Sequence, residues 1–143
     1  MIKLTDLLDK KVLVVEDDAA TRELVRLRLE VAGMHVSWAE NGQQAMAALR
    51  NFQPQLMVLD INMPVVDGFG VMSHLGREGM AALPTLVLTA RHQADDVERA
   101  IALGARDYLA KPFDSHHLLM RMARLVRAVQ QPPPRSNSNV VLL

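Results

Sequence analysis

Five residues stand where short apolar runs give out. Val12 to Val15 leads into Glu16 and Asp17, Leu56 to Leu59 into Asp60, Thr85 to Leu88 into Thr89, and Tyr108 to Ala110 into Lys111. If these runs are buried parallel strands, the five groups gather at the carboxyl edge of one sheet, where α/β proteins bind ligands. Three carboxylates in one place repel each other unless a cation joins them. A hard divalent ion with oxygen ligands, Mg²⁺, answers that need. The acids then carry −3, against +3 from Mg²⁺ and Lys111 together. Such a balanced site suits a phosphoryl group. Metal and lysine neutralise its oxygens, the hydroxyl donates to one of them, and a carboxylate can serve as nucleophile. The chain has no phosphate-cradling glycine loop, so a nucleotide is not the expected donor.

Positioning these groups requires strands separated by helices. Ala20, Leu24, Leu27 and Val31 are spaced to share one apolar helix face, and Gly33 is a plausible stop. His35 to Ala39 reads as a second strand. Gly42 to Asn51 reads as a second helix, with Ala45, Met46 and Leu49 inward. Pro64 and Asp67-Gly68 make a loop before a helix from Phe69 to about Glu78. Asp95 to Leu103 reads as a short helix ended by Gly104. Asp114 or Ser115 caps a last helix with Leu118, Met122, Leu125 and Val129 on one face. Five alternations predict an α/β fold: a five-stranded parallel sheet covered on both faces, with right-handed crossovers.

A chain of 143 residues suits one domain with short flanks: an extension over 1–10, a folded unit over 11–130, and a proline-rich linker or tail over 131–143. The closing Val140 to Leu143 is either a loose tail or the first strand of a following domain. Sixteen basic and sixteen acidic residues cancel, so this chain is not expected to bind nucleic acid directly. It has no cysteine, which excludes disulfides, thiolate metal sites and a cysteine nucleophile. The opening residues do not form a signal peptide, and no apolar run nears the roughly 20 residues of a membrane helix. A cytoplasmic protein without membrane contact is the expectation.

The motifs carry a family resemblance. Val14-Val15-Glu16-Asp17, Asp60-Ile61-Asn62-Met63-Pro64, Asp67-Gly68, Leu88-Thr89-Ala90 and the run from Gly104 to Phe113 resemble bacterial two-component response-regulator receivers, over about Lys11 to Val129. The resemblance implies a flavodoxin-like, doubly wound sheet of order 2-1-3-4-5. It implies that Asp60 accepts phosphoryl from the phosphohistidine of a sensor histidine kinase or phosphotransfer protein. Asp17 would then bind Mg²⁺ directly, Glu16 largely through water, and Asn62 through its backbone carbonyl. Lys111 would contact the phosphoryl oxygens, with a cis bond to Pro112. Thr89 and Tyr108 would switch the face of helix 4, strand 5 and helix 5. Asn62 and Arg91 would tune the lifetime of the phosphorylated state. The chain would be a phosphoacceptor with self-phosphorylation and autodephosphorylation only, not an enzyme with turnover on a free substrate.

The last helix is similar to that of receivers joined to winged-helix domains, so an output domain beyond Leu143 could bind DNA. A homodimer through helix 4, strand 5 and helix 5 is the matching expectation. Arg106 departs from the acid common there in that subfamily, which weakens the case for its usual dimer.

Simpler roles compete for other residues. Asp18 reads as a helix cap and Asp67 as a turn residue. The five histidines lack metal spacing, and the nine methionines read as core fillers. Arg121, Arg124 and Arg127 form a basic line on the last helix, which reads as a solvated face. Trp38 sits near the end of the second strand, away from Asp60, so only a weak fluorescence response to metal is expected. The competing function is a Mg²⁺-dependent aspartyl-phosphate hydrolase. Such enzymes usually need a second acid two residues past the nucleophile, and here that place holds Asn62, which cannot act as that general acid.

Overall fold

The structure, a computed structural model, describes residues 2–63, 67–90 and 94–130. Strands β1 (Lys11–Val15), β2 (His35–Ala39), β3 (Leu56–Asp60), β4 (Thr85–Ala90) and β5 (Asp107–Lys111) alternate with helices α1 (Ala19–Val31), α2 (Gly42–Phe52), α3 (Gly68–Ala82), α4 (Ala94–Ala102) and α5 (Ser115–Gln130). The five strands form one parallel sheet in the order β2-β1-β3-β4-β5, as expected. β1 and β3 are central and almost wholly buried, which is why they read as unbroken apolar runs rather than as alternation.

Alternate residues of these strands feed two cores. Val12, Val14, Val58, Leu86 and Leu88 face α1 and α5, where Val25, Leu29, Leu118, Met122 and Leu125 meet them. Leu13, Val15, Met57, Leu59 and Val87 face the other way, against Ala45, Met72, Met80 and Ala100. Burying large aliphatic side chains stabilises by about 1.5–3 kcal/mol each, so these two layers hold the strand ends in place.

Three features differ from the sequence expectation. The face of Ala20, Leu24, Leu27 and Val31 points to solvent, and Val31 is 82% exposed. The buried stripe is Val25 and Leu29, one position round the helix. Both stripes are apolar, so helical spacing alone could not choose between them. α3 runs on to Ala82, but it breaks at Gly76, whose φ of 70° lies in the left-handed region that glycine adopts without Cβ strain. Finally, the segment before β1 forms a 3₁₀ turn over Leu4–Leu7 that places Leu7 fully inside the α1–α5 core. Among the described residues, no helix is long and apolar enough to cross a membrane.

Candidate functional site

The parallel register brings the strand ends to one edge. β1 ends at Val15 beside Leu59 of β3, Asp60 pairs with Leu88 of β4, and Thr89 pairs with Ala110 of β5. Glu16, Asp17, Asp60, Thr89 and Lys111 therefore share one rim, although Lys111 and Asp60 lie 51 positions apart in sequence.

Glu16, Asp17 and Asp60 each offer a carboxylate oxygen within 4.8 Å of the others. Glu16 and Asp60 are buried and Asp17 is exposed. Lys111 Nζ lies 2.7 Å from Glu16 Oε1 and 3.4 Å from Asp60 Oδ2. The shorter contact is a charge pairing without hydrogen-bond alignment, so Oε1 is a buried oxygen with no directed donor. The other oxygen of Glu16 accepts the Asp18 N–H at 3.1 Å. Burial, reinforced by the neighbouring Asp60, pushes the Glu16 carboxyl up to about 8. Burial acts to lower the Lys111 ammonium, but the contacts to Glu16 and Asp60 outweigh it and hold the ammonium above its ordinary value.

These are the marks of a cation site. Burial and carboxylate crowding raise the cost of ionising Glu16, its buried Oε1 is met only by the Lys111 ammonium, and the exposed Asp17 carboxylate joins the cluster. The donor set is all oxygen, which fits a hard divalent ion such as Mg²⁺. The chain's own residues thus suit the metal that the motifs imply.

The flanking residues fix the backbone around the acids. Asp18 caps α1, accepting Thr21 N–H at 2.9 Å and its hydroxyl at 2.7 Å. Asp67 caps α3 by accepting Gly70 N–H at 2.9 Å. The Asp18 cap agrees with the simpler reading, whereas Asp67, read as a turn residue, is the N-cap of α3. Gly68 lets α3 approach β3: a Cβ there would sit 2.6 Å from the Asp60 carbonyl oxygen. Asn62 donates its backbone N–H to Asp60 Oδ1 at 2.9 Å. Its side-chain oxygen accepts Ala90 N–H, also at 2.9 Å, tying the β3 loop to the end of β4.

Thr89 is buried, and its hydroxyl donates to the Ala90 carbonyl at 3.1 Å. Tyr108 is 42% exposed. The Lys111–Pro112 bond is cis, as expected. An apolar groove of about 450 Å³, lined by Thr21, Leu24, Ala90, Lys111, Pro112 and Phe113, opens beside the lysine. Arg91 and Pro64 lie outside the described residues, as does the linker over 131–143.

Comparison with known proteins decides the family. The sequence profile of the response regulator receiver domain matches residues 12–123. The chain belongs to the response regulator receiver family. This receiver is 38% identical over 133 residues to the "DNA-binding dual master transcriptional regulator RpaA" of Synechocystis sp., covering 92% of this chain and 55% of that protein. It is 42% identical over 117 residues to "Response regulator MprA" of Mycobacterium sp., covering 82% of this chain and 50% of that one. The chain spans about half the length of the curated relatives it matches. Among solved structures, the signal receiver domain from Bermanella marisrubri is 38% identical with a TM-score of 0.74, covering 82% of this chain and 98% of that one. The chemotaxis response regulator CheY4 of Vibrio cholerae is 30% identical with a TM-score of 0.75, at the same coverage. The protein is therefore a receiver domain of two-component signalling. Receivers are switches rather than turnover enzymes, and they normally work with histidine kinases.

Sequence reading missed Arg22, in the first turn of α1. Its Nη1 donates to the Glu16 carbonyl at 3.0 Å, and its guanidinium lies over Trp38, 4.6 Å from the ring centroid. An arginine one turn into the helix that follows the acids was the available signal. The partner on β2 carried none. The basic line on α5 is also partly engaged, because Arg121 pairs with Asp107 at 2.7 Å.

Proposed function

We propose that this receiver is a phosphorylation-activated switch in which Asp60 accepts a phosphoryl group from a phosphohistidine of a sensor histidine kinase or phosphotransfer protein. The observation that carries this reading is the meeting of Lys111 with three carboxylates, two of them buried, at the carboxyl edge of the sheet. An Asp60 oxygen forms the new bond to phosphorus as the donor's P–N bond breaks, and the donor imidazole keeps the electron pair. Lys111 Nζ stands close enough to pair with a phosphoryl oxygen once the acids are otherwise neutralised. Asp17 and Asp60, the Asn62 backbone carbonyl, and Glu16 through water would hold Mg²⁺. When bound, that ion would neutralise the charge developing on the phosphoryl oxygens.

Thr89 and Tyr108 would carry the switch. The Thr89 hydroxyl now satisfies only a neighbouring carbonyl, and a phosphoryl oxygen would be a stronger acceptor. Turning that hydroxyl toward Asp60 frees space for the Tyr108 ring and reshapes the α4–β5–α5 face, a population shift between two states. That face would control a homodimer, a partner or an output domain, and any DNA contact would belong to such a domain rather than to this chain. Asn62 and Arg91 would set how fast water reaches the phosphoryl group. The location would be cytoplasmic, and the only catalysis would be the domain's own phosphorylation and dephosphorylation.

Acetyl phosphate or phosphoramidate with Mg²⁺ should add one phosphoryl mass to the intact chain, and Asp60→Asn should abolish the addition. Labelling that survives the substitution would sink the assignment. Repeated turnover on a generic phosphoester would point to the hydrolase instead.

A further inference from the structure

We infer that Arg22, seated on Trp38, is a positioning residue that aims the Glu16–Asp17 backbone at the metal. The inference rests on the Mg²⁺ reading above and deepens it. Asp17 is the exposed acid of the cluster, and among the described residues no donor holds its carboxylate. Its direction is therefore set by the two peptide groups around it. Arg22 Nη1 donates to the Glu16 carbonyl at 3.0 Å and reaches the Asp17 carbonyl at 3.5 Å, touching both of those groups.

Arg22 is itself held. Its guanidinium lies 4.6 Å from the centroid of the Trp38 ring, a cation–π geometry. Trp38 pairs in register with Val14 of β1, and the next β2 residue, Ala39, accepts the Glu16 N–H at 3.0 Å. Glu16 is thus gripped on both sides by β2: its N–H directly, its carbonyl through Arg22. A guanidinium suits this use, since its planar fork can stack and donate at once, whereas a lysine ammonium can do only one well.

The sign of one measurement separates positioning from mere charge. Arg22 is a cation near a cation site. If its charge alone mattered, removing it would relieve repulsion and tighten Mg²⁺ binding. If it aims Asp17, removing it lets the loop wander and weakens binding. Loss of a hydrogen bond of this kind corresponds to roughly a tenfold effect.

The test is calorimetric Mg²⁺ titration of the full chain, paired with emission from Trp38, the one tryptophan. Arg22→Met keeps the unbranched stem of the side chain without the guanidinium and its donors. It should raise the Kd about tenfold and abolish any metal-dependent change in Trp38 emission, even at saturation. Arg22→Lys should fall between Arg22→Met and wild type. Trp38→Phe, which keeps an aromatic face, should bind nearly as wild type does, while Trp38→Leu should approach Arg22→Met. These three also serve if Arg22→Met fails to fold. An affinity for Arg22→Met equal to or tighter than wild type overturns the inference, as does equal binding by Trp38→Phe and Trp38→Leu. If wild type itself takes no Mg²⁺, the metal reading fails instead, and the two failures are told apart by the wild-type arm.

Discussion

On the β1 side of the carboxylates, the backbone near the acids is gripped from several directions. Asp18 caps the helix that follows, Ala39 accepts the Glu16 N–H, and Arg22 on Trp38 takes the Glu16 carbonyl. On the β4–β5 side the holds are slighter. The Thr89 hydroxyl bonds only to the adjacent residue's carbonyl, and Tyr108 stands half out in solvent. The two sides share one sheet edge but differ in how many partners each group would lose by moving. On the proposed function, the difference teaches how a small domain would both clamp an ion and change shape. The first task needs fixed oxygens, and the second needs side chains with little to give up.

Substitutions on each side should have separable effects. The largest is expected at Asp17. Asp17→Ala removes an exposed carboxylate that offers a ligand without holding the fold, so Mg²⁺ affinity should drop roughly ten- to a hundredfold, while the metal-free melting temperature barely moves. An unchanged calorimetric Kd would break the assignment of the β1 side as the clamp. On the other side, Thr89→Ala should leave the Mg²⁺ Kd within about twofold of wild type, because the Thr89 hydroxyl donates to the Ala90 carbonyl rather than to an acid. It should instead uncouple Tyr108, the only tyrosine, so that its ring resonance no longer responds to phosphorylation. A large loss of metal affinity in this variant would erase the division between the two sides.

The smallest effect concerns the start of α5. Asp114 accepts the His117 N–H at 2.8 Å, which holds its carboxyl below the ordinary aspartate value of 3.8. A folded-state value below the unfolded one adds stability above the unfolded pKa, and that contribution fades as pH falls through the folded value. Asp114→Ala should therefore melt slightly lower than wild type at neutral pH, with the gap closing in acid. A gap that persists in strong acid would assign the loss to packing instead.

Much of this was legible in sequence because the central strands are buried on both sides. They become apolar runs whose first charged residue marks the rim, so Glu16 and Asp60 could be placed before any fold was known. The faces of α1 were not legible, since Leu24, Leu27 and Val31 compete with Val25 and Leu29 at equally helical spacing. The Arg22–Trp38 stack and the bond from Ala90 to Asn62 join residues on different elements, and no local pattern encodes such pairings. The buried Leu7 was hidden for the same reason, as was the left-handed break at Gly76 within an otherwise helical run.

The contact between Lys111 and the acids closes only when the first and last strands are in the same sheet. Synthesis delivers β1 and β3 first, with Asp60 exposed but its lysine not yet made. A half-translated chain therefore carries Asp60 without the lysine that pairs with it in the finished sheet. On the proposed function, the wiring of the sheet would act as proofreading: a chain without β5 would lack the lysine that meets the acids.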